Sequence, residues 1–429
     1  MNSRRFSKAW WLPGFASLLV MHAILAGQYR VAMMIQPAWL AYALMGLAMV
    51  ACALPWWPLL RWNPHANGGG ANAAADHMDA PGRWTVRMAG AALIAFAVAG
   101  LVARGCWIHR LPIAPELGDM LPQIQQAIHD WMSGIFPYRV HFFPWPIHLP
   151  YPPALWEAYI PATLAGVDLR YTTLVCLAIM GAIWFMQFRG FALRRIPVWQ
   201  LWAWTLLAGM FFLSPLILRF VIQGHTAPYW LALTALPVLL HCRQNAASAV
   251  VLGLVCAMRQ PAILFVPILG WYWWRAFSWR RAVLLVGIAA ATSLLIYGPF
   301  LVKDPVAVLW TPMRQYATVG RETFEFNPAM ILECIGFSNL FYLAGQDRFL
   351  TLAALGGFAI VLAGNAKRMK TPADATRIMA LATLGFALFS PIPFYYEYIP
   401  ALILFMQAWW QEVAASAGPL PSPQPAVKQ

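Results

Sequence analysis

The stretch "VWQLWAWTLLAGMFFLSPLIL", residues 198–218, carries no charged side chain at any position. A helix needs about 20 consecutive apolar residues to cross the hydrocarbon of a bilayer, and the surface of a water-soluble domain has no room to hide such a run. Ala38 to Leu60 and Ala282 to Val302 are likewise uncharged. Of the 429 residues 61% are hydrophobic and 10% charged, and the mean hydropathy is +0.61. That is too little polar side chain to clothe a globule of this size, so the composition predicts a polytopic membrane protein.

Working outward from that stretch, apolar segments lie near 10–28, 38–60, 86–104, 171–188, 198–221, 228–242, 247–258, 261–274, 282–302, 349–364, 376–391 and 398–411. They predict an all-α integral membrane fold of about 12 transmembrane helices. The pair 247–258 and 261–274 is too short for ordinary crossings. Split at Arg259-Gln260-Pro261, it reads as a broken hairpin buried against other helices, where irregular backbone finds partners in protein or cavity water. The run Ala9 to Gln28 follows Arg4, Arg5 and Lys8, but it lacks a small-residue cleavage site and a second span follows it; it reads as a retained anchor.

The formal net charge of +14 is explained by topology rather than by nucleic acid, because the basic residues gather in short connections and form no stripe with aromatics. With the amino terminus inside, Arg61, Arg83, Arg87, Arg189, Arg194, Arg195, Arg243, Arg275, Arg280, Arg281, Lys367, Arg368, Lys370 and Arg377 share one side with Arg4, Arg5, Lys8 and Lys428. Only Asp76, Asp79, Asp374 and Glu412 of the acidic residues join them. The other acids collect outside, in segments 105–170 and 303–348. Residues 1–60 form a leading two-helix segment and 61–85 a flexible cytoplasmic linker around "NPHANGGGANAAADHMDAPG". Residues 86–411 hold the remaining spans, and 412–429 are a Pro-rich, disordered cytoplasmic tail. No internal repeat is visible, which speaks against a transporter built from inverted halves. Six cysteines are scattered without a CxxC pair, which argues against structural zinc or a disulfide framework. Only Cys106 and Cys334 fall outside, which leaves room for one disulfide.

The polar segment "GDMLPQIQQAIHDWMSGIFPYR" (118–139) interrupts the apolar sequence. From Asp119 onward Met120, Leu121, Ile124, Ala127, Ile128, Trp131 and Met132 recur at helical spacing, with Gln123, Gln125, Gln126, His129 and Asp130 on the other side. The spacing predicts an amphipathic helix in the outer interface, started at Asp119 and stopped at Gly134. Asp119 has two readings: a helix N-cap, or a carboxylate facing a water-filled cavity, ionised with a pKa near ~3.9 and able to take a proton from a hydroxyl nucleophile.

An acidic residue past a span, an amphipathic helix, "GIFPYR" (134–139) and "LPYPPALWEAYIP" (149–161) together resemble the first external loop of the GT-C glycosyltransferases, most like glycosyltransferase family 87. "QGHTAPYWLALTAL" (223–236) resembles that family's Gly-Gln segment opening a span. "GLVCAMRQPAILFVPIL" (253–269) is similar to its basic-residue-before-proline segment, and "SPIPFYYEYIPALILF" (390–405) to its Ser-Pro segment before the last span. The resemblance runs from about residue 105 to 411. It departs where His225 stands in place of the usual glutamine, and where Phe394 and Glu397 replace tryptophan and histidine.

The resemblance implies a GT-C-like architecture for 86–411. It further implies transfer, with inversion, of a sugar from a polyprenyl-phosphate donor to a glycolipid or glycan hydroxyl on the outer face of a bacterial inner membrane. Asp119 is then the base. Arg259 leads for the donor phosphate, because a charge within apolar sequence costs ~2.5–3.5 kcal/mol on insertion scales and marks functional pathways; its plainer reading is a snorkelling arginine. His225, Arg314 and Arg321 are further phosphate candidates, and ordinary loop residues is the competing reading for the two arginines. Trp145 and Tyr151 pack at the interface or stack on a sugar, and Glu397 binds acceptor hydroxyls or sits within an aromatic belt. His141, His148 and Asp130 match no firm metal-ligand spacing; no cofactor is implied, and a divalent metal is left open. Asp168 and Glu157 are unassigned. No P-loop or strand-borne GxGxxG is present, as expected for a lipid-linked donor. The rivals are a solute or lipid transporter using Arg259 and Arg219 within the membrane, and a non-catalytic scaffold.

Overall fold

The computed structural model describes residues 11–57, 82–143, 145–193, 196–214, 224–391 and 395–416. Linker residues 63–81, the tail from 417, Arg4, Arg5 and Lys8, Arg219, Phe394 and the far end of the predicted span 198–221 lie outside the described residues. Each predicted apolar segment falls on a helix. Five helical stretches, Ala38–Trp56, Arg83–Arg110, Arg170–Leu193, Trp279–Leu301 and Asp347–Ala366, are long and apolar enough to cross a membrane by length and composition. The protein is an all-α membrane protein carrying one small hairpin.

In chain order, α1 (Trp11–Met34) and α2 (Ala38–Ala53) form an antiparallel pair, followed by α3 (Arg83–Arg110) and the polar-faced α4 (Met120–Met132). A two-stranded antiparallel hairpin follows, β1 (Val140–Phe143) with β2 (Trp145–His148), in the register Val140↔His148 and Phe143↔Trp145. Two short turns of helix, α5 (Pro153–Glu157) and α6 (Ile160–Leu164), lead to α7 (Arg170–Leu193) and α8 (Val198–Leu213). Then come α9 (Ala227–His241), α10 (Asn245–Met258), α11 (Phe265–Ala276) and α12 (Trp279–Leu301). Beyond them lie α13 (Thr311–Phe326), α14 (Ala329–Leu332), α15 (Ser338–Leu343), α16 (Leu350–Ala366), α17 (Pro372–Leu388) and α18 (Ile399–Ser416).

Helix α18 is the axle of the bundle. Every residue from Ile399 to Ala414 is buried. An apolar helix can face lipid, and it is the polar Gln407, Gln411 and Glu412 that hold this one in the interior: Gln187 of α7 donates to Gln407 Oε1 at 2.6 Å, and Gln411 Nε2 donates to the carbonyl of Pro237 in α9 at 2.6 Å. The leading pair packs into the same core, with the Trp56 ring 4.8 Å from Phe405 and Phe15 6.4 Å from Trp409. At the end of α18 away from Asp119, Arg377 donates to Glu412 at 2.8 Å and to Asp374 at 2.6 Å. Asp374 also closes a capping box with Thr371, which satisfies donors of the first turn of α17.

The expected break at Arg259-Gln260-Pro261 is present. Helix α10 stops at Met258, Arg259 is extended (φ −148°, ψ 126°), and a 3-10 turn, Gln260–Leu264, leads into α11. Pro261 has no N–H to continue a helix. Helix α4 ends as its sequence foretells: Gly134 adopts φ +73°, and the Ile135 and Gly134 N–H groups bond back to Asp130 and Trp131 at 2.8 and 3.1 Å, closing a Schellman motif.

Three expectations need correction. Gln123 and Asp130 are buried, not on the watery side of α4: Gln123 turns back onto Asp119, and the segment following the helix brings Arg139 onto Asp130. Arg139 makes a two-pronged contact with Asp130 at 2.8 and 2.9 Å, and Gln126 adds a bond of 2.8 Å. The aromatic and proline content of "FFPWPIHLPYPP" (142–153) predicts a rigid loop; residues 140–148 form a β-hairpin instead. No disulfide joins Cys106 to Cys334: all six cysteines are free, Cys106 is exposed and Cys334 buried, with its thiol donating to Met330 O at 3.1 Å.

Candidate functional site

Asp119 stands immediately before α4 with helical dihedrals, φ −77° and ψ −14°, and its side chain makes no capping bond. A true N-cap needs extended dihedrals for its side-chain oxygen to turn back onto the N2 or N3 amide. The capping reading therefore fails. The carboxylate accepts from Gln123 Nε2 at 3.0 Å, one turn along. Burial raises its pKa above the ordinary aspartate value, more than its own backbone N–H and Gln123 lower it. The carboxyl is a stronger base than an exposed one.

Tyr151 faces it from the strap before α5. Pro152 and Pro153 stiffen this strap, and the Tyr138 hydroxyl, itself bonded by Trp156 Nε1 at 3.2 Å, donates to Tyr151 O at 3.0 Å. Gln260 Nε2 fixes Pro150 O at 2.8 Å, tying the strap to the break between α10 and α11. The Tyr151 hydroxyl is raised well above its ordinary range, first by burial and then by the Asp119 charge, with Arg259 and Glu397 also within electrostatic reach. Its ring lies 4.3 Å, centroid to centroid, from that of His225.

His225 and Thr226 precede α9. His225 is 1% exposed, and both ring nitrogens lack a hydrogen-bond partner among the described residues. Burial, and secondarily the charge of Arg259, holds it well below the ordinary histidine range, so it is neutral. Arg259 Nη2 forms a close ion pair with Glu397, their side chains 15% and 11% exposed. Beside that pair lies a cavity of about 20 Å³, lined among others by Tyr229, Arg259, Thr383, Phe386, Glu397 and Pro400, enough for about one water.

Five of the residues singled out in the sequence, Asp119, Tyr151, His225, Arg259 and Glu397, are thus brought together from four distant segments. Others are not. Arg314 lies exposed on α13, and Arg321, also exposed, pairs with Asp347 at 2.8 Å. The backbone of Trp145 lies in β2, opposite Phe143, and its side chain lies outside the described residues. His141 is 3.8 Å from Asp130, but that carboxylate is held by Arg139 and Gln126. Among the described residues no three His, Cys, Asp or Glu side chains converge as a metal site. Unassigned Asp168 accepts from Arg170, which also holds Ile108 O at 3.0 Å and so joins α3 to α7. Gln260, Thr226 and Tyr229 were missed by the sequence reading; the signal for Gln260 was its place beside Arg259 ahead of a helix-breaking proline.

Comparison with protein-family models, with curated proteins and with solved structures finds no match.

Proposed function

We propose that the chain is a membrane glycosyltransferase of the GT-C type, similar in its motifs to family 87, with about twelve crossings and its active centre at the outer face of a bacterial inner membrane. The donor is a polyprenyl-phosphate sugar and the acceptor a hydroxyl of a glycolipid or glycan. The acceptor oxygen attacks the anomeric carbon from the face opposite the phosphate and its proton passes to Asp119. The bond from carbon to phosphate oxygen breaks, and polyprenyl phosphate leaves with the electron pair. Arg259 and His225 bind the departing phosphate, while Tyr151 and Glu397 line the sugar and acceptor side.

The observation that carries this reading is Asp119: a carboxylate relieved of capping, made more basic by burial, and grouped with a partly buried arginine and a neutral imidazole. General-base catalysis supplies typically 10²–10⁴-fold. The cavity beside Arg259 is too small for a sugar, so donor entry requires the Arg259–Glu397 pair to part. The test is transfer of radiolabelled sugar from polyprenyl-phosphate donors by purified protein. Asp119→Asn should abolish turnover by about 10²-fold or more while the folded yield stays at the wild-type level, and an abundant variant that still transfers would end the assignment.

A helix broken at a charged residue also occurs at transporter sites, and the extended Arg259 between α10 and α11 is the observation that favours transport. Uptake of labelled solute into vesicles, indifferent to polyprenyl-phosphate sugars, would decide for it.

A further inference from the structure

Helix α9 begins inside the cluster with two buried polar side chains unmatched among the described residues. Thr226 occupies the N-cap position, yet its side chain makes no capping bond. Among the described residues its Oγ1 is buried without a hydrogen-bond partner, as are both ring nitrogens of His225 next to it. The first turn of any α-helix leaves its amide N–H groups without intrahelical acceptors. Here Pro228 has none to offer, and Trp230 N donates to Thr226 O at 3.0 Å. The amides of Ala227 and Tyr229 belong to this first turn, at the positive end of a 15-residue helix dipole. The Arg259 charge reaches both His225 and Tyr229. Leaving buried polar groups unmatched is costly, and the cost is recovered if a ligand supplies acceptors at this spot. Oxygen-rich anions are the ligands that helix N-termini bind.

We infer that the N-terminus of α9 is a phosphate site, in which Thr226 Oγ1, a His225 ring N–H and the first-turn amides hold the phosphate ester of a lipid-linked ligand beside Arg259. The choice of a prenyl phosphate rests on the glycosyl-transfer reading; the anion site itself does not. Neutral His225 donates through one nitrogen and accepts through the other, so it can also receive a hydroxyl from the group that the phosphate carries. Glu397 is the competitor: it holds Arg259 in the ligand-free protein, and the incoming phosphate takes its place.

The experiment uses the full chain in detergent, with titration calorimetry of geranyl phosphate, which carries no sugar, and of inorganic phosphate. Thr226→Val should weaken geranyl phosphate about 10-fold, the worth of one hydrogen bond to a charged group, while Thr226→Ser restores it. Glu397→Gln should tighten it. Equal geranyl phosphate affinity in wild type and Thr226→Val would overturn the inference. So would a loss in Thr226→Val that Thr226→Ser fails to restore. Inorganic phosphate binding as tightly as geranyl phosphate would turn the site into a free-anion site, and competition from phosphatidylglycerol in nanodiscs would assign it to bilayer headgroups; either overturns the prenyl choice. Absent sugar transfer with Thr226-dependent geranyl phosphate binding sinks the enzymatic reading alone, whereas transfer with Thr226-independent binding sinks this inference alone.

Discussion

Two paired arginines, Arg377 buried and Arg259 partly buried, stand at opposite ends of the bundle. Arg377, its side chain 1% exposed, lies between Asp374 and Glu412 at 2.6 and 2.8 Å, with Asp374 itself fixed by a capping box. Arg259 pairs with Glu397 at the break of a helix, beside a small cavity and within electrostatic reach of His225; the side-chain polar atoms of His225 and Thr226 lack hydrogen-bond partners among the described residues. The first arrangement surrounds its charge with fixed carboxylates and joins two core helices. The second leaves polar groups unmatched within reach of the charge. Carboxylates on two sides fix Arg377 even though its Nε has no partner among the described residues, whereas three unmatched side-chain atoms beside a charge at a helix break point to a ligand.

The largest effect that could break this contrast is on stability. Arg377→Gln strands two buried carboxylates, and removing one member of a buried ion pair costs about 3–5 kcal/mol; folded yield in detergent should collapse. Arg259→Gln leaves a single, partly exposed carboxylate at the edge of a cavity, so folded yield should fall far less. Its donor affinity should drop by about 10- to 100-fold. Equal stability losses in the two variants would dissolve the distinction.

A pH profile sharpens the same contrast. Burial raises the Asp119 pKa, so its basic form is reached only above the ordinary aspartate range. The rate should rise with pH through that raised value, and an acid limb at the ordinary position would contradict the assignment. The smallest effect concerns Glu157, which burial pushes up to about 7 from 4.5. A carboxyl with a raised folded-state pKa favours the fold below its unfolded value, and that contribution is lost as pH rises through the folded one. The apparent melting temperature of the wild type should therefore decline between pH 5 and pH 8, and Glu157→Gln should flatten the decline.

Much of this was legible in the order of residues. Charge-free runs of bilayer length dictate helices, because lipid offers no partner for a backbone amide. Pro261 after Arg259-Gln260 dictates the break, and Gly134 dictates the end of α4, since only its φ of +73° turns the chain there without a Cβ penalty. The hairpin at 140–148 was hidden because its short strands carry Pro146 and show no alternation that marks one watery face. The burial of Gln123 and Asp130 was hidden because Arg139, which meets Asp130 from beyond the end of the helix, has no place in a helical repeat.

Composition and local pattern, then, settled which segments are helical and apolar and where the chain must break, because those outcomes follow from backbone hydrogen bonding and side-chain solvation over a few neighbouring residues. Tertiary structure alone decided that Asp119 does not cap its helix, that Arg259 meets Glu397, and that Tyr151 lies against His225. Those relations join groups up to 138 residues apart in the chain, and a distance of that kind is fixed only when the helices carrying them pack around α18.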